Sequence, residues 1–151
     1  MAIARGAGTE IIRTAHFESI DNTPTELIYG VRHHIYTILS IIIMAPGGGN
    51  PSWCRCYITG YDSFAGTGGE TINIFQQDIK IGETFVWNDK FSMNGYEPVD
   101  FGAGIDSEAK QDAIADQLVS GDSNRQILKL EGEASGDHFD TTITYIDQNN
   151  A

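Results

Sequence analysis

Apolar and polar side chains alternate along most of the chain, and clusters of Gly, Pro, Asn and Asp separate the alternating runs. A period of two marks strands that bury one face. The runs predict strands over residues 9–17, 25–30, 33–45, 53–61, 71–77, 126–133 and 139–146. Residues 82–95 read as two further strands around a tight turn at Asn88-Asp89. Residues 105–118 break the pattern: their Ala-rich composition, a cap at Asp106 or Ser107 and Glu108 in the first turn predict one short helix. Short strands with Gly/Pro turns and a single inserted helix indicate an all-β fold, an antiparallel sandwich or jelly roll. Without βαβ alternation, a doubly wound fold is not expected.

The strand at 33–45 has apolar residues at both parities. Ile35, Thr37, Leu39, Ile41 and Ile43 fall on one face, and Ile38, Ile42 and Met44 on the other. An antiparallel sheet in a monomer normally leaves one face polar. The expectation is therefore a second cover, either the helix at 105–118 or another subunit, and a homo-oligomer, a trimer by preference. In the strand at 53–61, Trp53, Arg55, Tyr57 and Thr59 share one face, and Cys54, Cys56 and Ile58 the other. Residues expected in the core or in a subunit contact are Ile35, Tyr36, Ile38, Ile42, Ile72, Ile74, Phe85, Trp87, Leu128, Ile143 and Tyr145.

Length changes the picture little: 151 residues make one domain, here 1–151, with an extended start and a short polar tail from 147. Charge changes it more. The net charge is -12, which excludes a general binder of nucleic-acid backbones. Residues 1–90 carry six basic and nine acidic side chains, residues 91–151 three and twelve, so the C-terminal part is expected to present an acidic face. The start lacks the order of an export signal, and the apolar stretch at 38–46 is too short to span a bilayer. Cys54 and Cys56, two apart in a strand, are expected as small unpaired strand residues in a reducing compartment.

Candidate chemistry is sparse. His33 and His34 are strand neighbours that point to opposite faces and cannot jointly hold an ion; one is expected at the core or an interface and the other in solvent. The glycine run at 47–49 lacks the Lys and helix of a phosphate loop and reads as a turn. Glu131, Glu133, Asp137 and Asp140, or Asp112 and Asp116, are acidic enough for a calcium ion but lack an EF-hand order. No catalytic residue, metal or cofactor is expected. Trp53, Tyr57 and Trp87 are expected to form an apolar binding patch, with Arg55, Lys90 and Arg32 as its rim.

Residues 4–18 (Ala-Arg-Gly-Ala-Gly-Thr-Glu-Ile-Ile-Arg-Thr-Ala-His-Phe-Glu), 27–40, 82–95 and 106–117 resemble small virion proteins of tailed bacteriophages, especially marine and cyanobacterial ones. The resemblance implies a structural part of a particle, assembled in the host cytoplasm, with the major capsid protein or other virion proteins as partners and with no nucleic-acid or membrane partner. The favoured role is a capsid decoration (cement) protein. A neck, tail or fibre component is the alternative, and a carbohydrate-binding module using the aromatics is a third reading. Copy number per particle separates the first two, and glycan binding by a soluble monomer would mark the third.

Overall fold

The computed structural model describes residues 8–47, 52–60, 69–96 and 125–149. Nine strands are present among them: β1 (Thr9–Ile20), β2 (Thr25–Tyr29), β3 (His34–Met44), β4 (Ser52–Thr59), β5 (Thr71–Ile79), β6 (Thr84–Trp87), β7 (Phe91–Asn94), β8 (Ile127–Gly132) and β9 (Phe139–Asn149). The first sheet runs β1-β9-β3-β6, with β7 also on β3; the second runs β2-β8-β4-β5. Every strand pairing among the described residues is antiparallel, as the sequence leads one to expect. The two sheets pack as a sandwich whose core joins Tyr36, Ile38, Ile41, Ile43, Phe139 and Ile143 to Leu27, Cys54, Cys56, Ile58, Leu128 and Leu130. The helix expected at 105–118 lies outside the described residues.

Nearly every strand lies within a few residues of its expected place, because the turn clusters punctuate the chain where strands end. Three details differ. First, β6 and β7 are not a hairpin. Both run antiparallel to β3, β6 against Ile41–Met44 and β7 against Ile35–Ile38, so they lie end to end as one interrupted edge strand. Asn88 to Lys90 interrupts pairing without reversing the chain. Second, β3 changes parity. Its register on β9 shifts between Ile38 and Ser40, leaving Leu39 as the extra residue of a bulge. Tyr36, Ile38, Ile41 and Ile43 are therefore all inside, while Ile42 and Met44 are exposed at 40% and 45%. The strict alternation expected for this strand fails at one residue, and the apolar excess divides between core and outer face. Third, β9 continues through the expected polar tail as far as Asn149, held by β1 on one side and β3 on the other.

Burial departs from expectation at two more positions. Ile72 lies opposite Ile58 but is 47% exposed, because β5 is an edge strand and Ile72 sits near its start. Ile74 is the extra residue of a second bulge, which brings Phe75 rather than Ile74 into register with core Cys56. Phe75 then stacks on Trp87, ring centres 5.1 Å apart, and closes the core between the edges of the two sheets. Both thiols are buried and unpaired, and burial raises their pKa, that of Cys54 to about 12.

Candidate functional site

At one end of the sandwich the two sheets are joined through the backbone. The Gly95 N–H donates to the His34 carbonyl (2.8 Å), the Gln126 N–H to the Gly95 carbonyl (3.2 Å), and the Gly30 N–H to the Gln126 carbonyl (3.0 Å). The relay ties β3 and β7 of the first sheet to β2 and β8 of the second. It brings Gly30 and Gly95 so close that a Cβ on Gly30 would stand less than 3.0 Å from the Gly95 carbonyl oxygen. The β2–β3 turn is thereby pinned, with His33 in the left-handed region (φ 62°) and exposed.

Aromatic and guanidinium groups stack on this pinned end. The Arg125 guanidinium lies over the Tyr29 ring at 4.1 Å and is 5.7 Å from the centre of the Tyr96 ring. Arg32 lies over Tyr96 at 3.9 Å and donates to the Tyr96 hydroxyl at 2.9 Å. Arg125 also donates to the Gly30 carbonyl, and Tyr96 and Arg125 form an isolated β-bridge. Tyr29 and Val31 are exposed beside them, Tyr29 at 46%. Stacked guanidinium–aromatic pairs contribute about 0.5–1 kcal/mol each when exposed and more when desolvated.

Beneath the tip, Asp147 is buried between the Arg13 guanidinium and the His34 ring. Its Oδ2 accepts from Arg13 Nε at 2.8 Å, and its Oδ1 lies 2.6 Å from His34 Nδ1. The Arg13 pKa is raised, chiefly by this hydrogen bond to Asp147. The His34 ring stacks on Tyr36, which meets Tyr145 edge-on. Tyr36 accepts from the Val31 N–H at 3.1 Å, and burial pushes its hydroxyl pKa up to about 12. A carboxylate that orients an imidazole is half of a general-base arrangement. Through Arg13, His34 and Asp147 the cluster also ties β1, β3 and β9 together. His34 is the half-buried member of the His pair and His33 the exposed one; His33 stands in the β2–β3 turn at positive φ and not in the strand, so the turn, and not strand alternation, separates the two rings.

The six residues expected to form one binding surface occupy separate places. Trp53, Arg55 and Tyr57 share the outer face of the second sheet. There Arg55 pairs with Glu131 and lies over the Tyr57 ring at 4.7 Å, while the Tyr57 hydroxyl donates to Glu131 at 3.3 Å. Burial first, and then the Glu131 charge, raise the Tyr57 pKa. Trp87 lies on the other sheet, opposite core Ile41 and against Phe75. Lys90 is exposed between β6 and β7, and Arg32 belongs to the stacked tip. Period-two reasoning placed Trp53 and Tyr57 together correctly but had no means of assigning Trp87 to a sheet.

The acidic candidates are likewise dispersed. Asp137 is fully buried and braces a turn, its Oδ2 accepting from Ser52 (2.5 Å) and from the Ala134 N–H (2.7 Å). Asp140 accepts from the Ser19 N–H, and Glu133 lines a shallow hollow of about 220 Å³ with Ser52, Asp78, Ile79 and Lys80. Among the described residues no three His, Cys, Asp or Glu side chains are grouped to hold a metal ion, and no helix is long and apolar enough to cross a membrane. Sequence reasoning missed Tyr29, Tyr96 and Arg125. A signal existed: Tyr29-Gly30 and Gly95-Tyr96 each set an aromatic beside a glycine, the pairing expected where backbones touch and rings cover the contact.

No family model and no curated protein matches the chain. Solved structures with a similar course exist at low identity. One comes from Bacillus endospore appendages, described as a novel family of disulfide-linked pili: 11% identity, TM-score 0.42, covering 100% of this chain and 97% of that one. Others come from infectious bursal disease virus. The T13 particle gives 9% identity and TM-score 0.46, covering 98% of this chain and 33% of that one; the Gx strain gives 6% and 0.39, covering 99% and 36%. The chain thus spans about a third of those virus chains. At these scores the likeness is one of general shape and assigns no role.

Proposed function

We propose that the chain is a structural subunit of a virus particle that acts by binding other protein subunits and not by catalysis, most specifically a capsid decoration protein. The observation that carries the binding role is the pinned tip, in which Tyr29, Arg125, Tyr96 and Arg32 stack beside exposed Val31. Tyr and Arg are the residue types enriched where protein interfaces concentrate their energy, and such anchors bind well when they are already ordered. Here the Gly30–Gly95 contact and the backbone relay order them in the free protein. The chain's charge of -12 leaves this tip as a place where cationic groups gather, suited to an acidic, apolar-centred surface on a coat subunit. The virion setting itself rests on the resemblance to tailed-phage proteins.

The test uses particles assembled with and without this protein. Arg32→Ala with Tyr29→Ala is expected to abolish incorporation while leaving the circular dichroism spectrum unchanged. Stoichiometry of hundreds of copies per particle supports decoration, whereas a handful to tens supports a neck, tail or fibre part. Cleavage of glycan or peptidoglycan by the wild-type protein would overturn the non-catalytic reading.

A further inference from the structure

The outer face of the first sheet is unlike the rest of this acidic chain. Register places Ile12, Thr14 and His16 of β1, Thr142, Thr144 and Ile146 of β9, and Thr37, Ser40, Ile42 and Met44 of β3 on one side, continued by Val86 of β6 and Ser92 of β7. The middle of the face, from Thr144 across Ser40 and Ile42 to Val86, carries no charged side chain. Charged residues stand at its rim: Glu10, Glu18 and Asp140 toward the ends of β1 and β9, and Asp89 and Lys90 in the interruption between β6 and β7. Ile42 and Val86 face each other across the β3–β6 ladder, and Val86 is 51% exposed. Hydroxyl groups already pair with their neighbours here, Thr14 with Thr144 (3.3 Å) and Thr37 with Ser92 (3.1 Å), while His16 Nδ1 meets Thr142 at 2.8 Å. The face is therefore apolar in its exposed carbon and has few unmet hydrogen-bonding groups.

We infer that this face is a two-fold interface between two copies of the chain, packed sheet on sheet through Ile42, Met44 and Val86. Area and charge both point to a second copy. Four strand positions at about 4.8 Å spacing and strands of about eleven residues give a face of roughly 700 Å². Two such faces bury about 1,400 Å², the size of a stable specific interface. A cationic partner would be drawn to the acidic surfaces of the molecule. Two copies that each carry -12 meet without like charges opposed only across a surface whose middle lacks charge, and this four-strand face, with its charged side chains confined to the rim, meets that condition. A single face that meets its own copy requires a two-fold axis, so the pair, and not a trimer, is the smallest unit. The inference does not depend on the tip described above, which lies on the sandwich end and stays free in the pair.

The test is sedimentation of the full chain over a concentration series, with Ile42→Glu/Val86→Glu as the interface variant. Both positions are exposed in the single chain, so the variant is expected to fold with the wild-type circular dichroism spectrum. A wild-type dimer that weakens about a hundredfold or more in the variant is the expected result. As a second reading, Ile42→Cys is expected to react with a maleimide slowly at high protein concentration and quickly on dilution. A wild-type chain that stays monomeric at high micromolar concentration overturns the proposal, as does a dimer unaffected by the two glutamates. Particle incorporation is not used, so failure here leaves the virion reading standing.

Discussion

Gly30 and Gly95 lie backbone to backbone, and neither position has room for a side-chain carbon: one on Gly95 would meet the Val31 carbonyl oxygen and nitrogen, both closer than 3.0 Å. The contact is where the two sheets share hydrogen bonds, so it sets the geometry of the Arg–Tyr stack above it. Gly95→Ala is expected to destabilise the protein by about 3 kcal/mol, because the obstacle is backbone that cannot rotate away. Urea unfolding measures it, and a loss below half that value would show that the turn gives way easily.

The bulge at Leu39 makes adjacent residues unequal. Ile41→Ala is expected to cost about 3–4 kcal/mol, since Ile41 is fully buried in the core. Ile42→Ala, at an exposed position, is expected to cost less than about 1 kcal/mol in the monomer. Equal losses at the two positions would contradict the parity change. The comparison belongs at dilute protein concentration.

Tyr36 makes stability depend on pH at the alkaline end. Its pKa rises from 10.0 to about 12 on folding, mainly through burial. A raised pKa means that the folded state holds the proton more tightly. The stabilisation is complete below pH 10 and is lost as pH climbs toward 12. The expected loss over that interval is about 2–3 kcal/mol. Tyr36→Phe should flatten that part of the curve, although Tyr57 and Tyr145, whose pKa values are also raised, leave a residual slope.

Asp21 acts at the acid end. Its pKa is lowered from 3.8 chiefly by accepting the Thr23 N–H at 2.7 Å. A lowered pKa stabilises above the unfolded value and is lost as pH falls through the folded one. Acid unfolding of Asp21→Asn is expected to begin from a lower plateau and to show a shallower decline below pH 3.8. An unchanged slope would remove Asp21 from the account.

Cys54 and Cys56 are expected to stay silent toward thiol reagents at neutral and mildly alkaline pH. Burial raises both pKa values, that of Cys54 to about 12, and the thiolate is the reactive form. Both should react fully in denaturant, with two thiols titrated per chain. Reaction in the native protein would mean that the core between β4 and β8 opens.

Strand positions, the antiparallel pairing class and the inward face of β4 follow from local pattern alone. Alternation and turn residues act within a few positions of the chain, and one sequence carries all of that information. Thus Cys54, Cys56 and Ile58 point inward as the pattern requires. What depends on a partner strand does not follow. Whether 82–95 folds back on itself or lies end to end along β3 was decided by competition between a two-residue turn and the long apolar edge of β3. The parity of Ile42 was decided by one extra residue at Leu39, which alternation cannot register because a bulge shifts every later side chain to the opposite face. Trp87 went to the core by pairing with β3, away from Trp53. The stacked tip gathers Tyr29, Arg32, Tyr96 and Arg125 from distant parts of the chain, and the sheets must close on Gly30 and Gly95 before those four side chains become neighbours. Local propensity acts over neighbouring residues, whereas register, parity and the grouping of side chains come from contacts between strands far apart in sequence, and those contacts were chosen by packing in three dimensions.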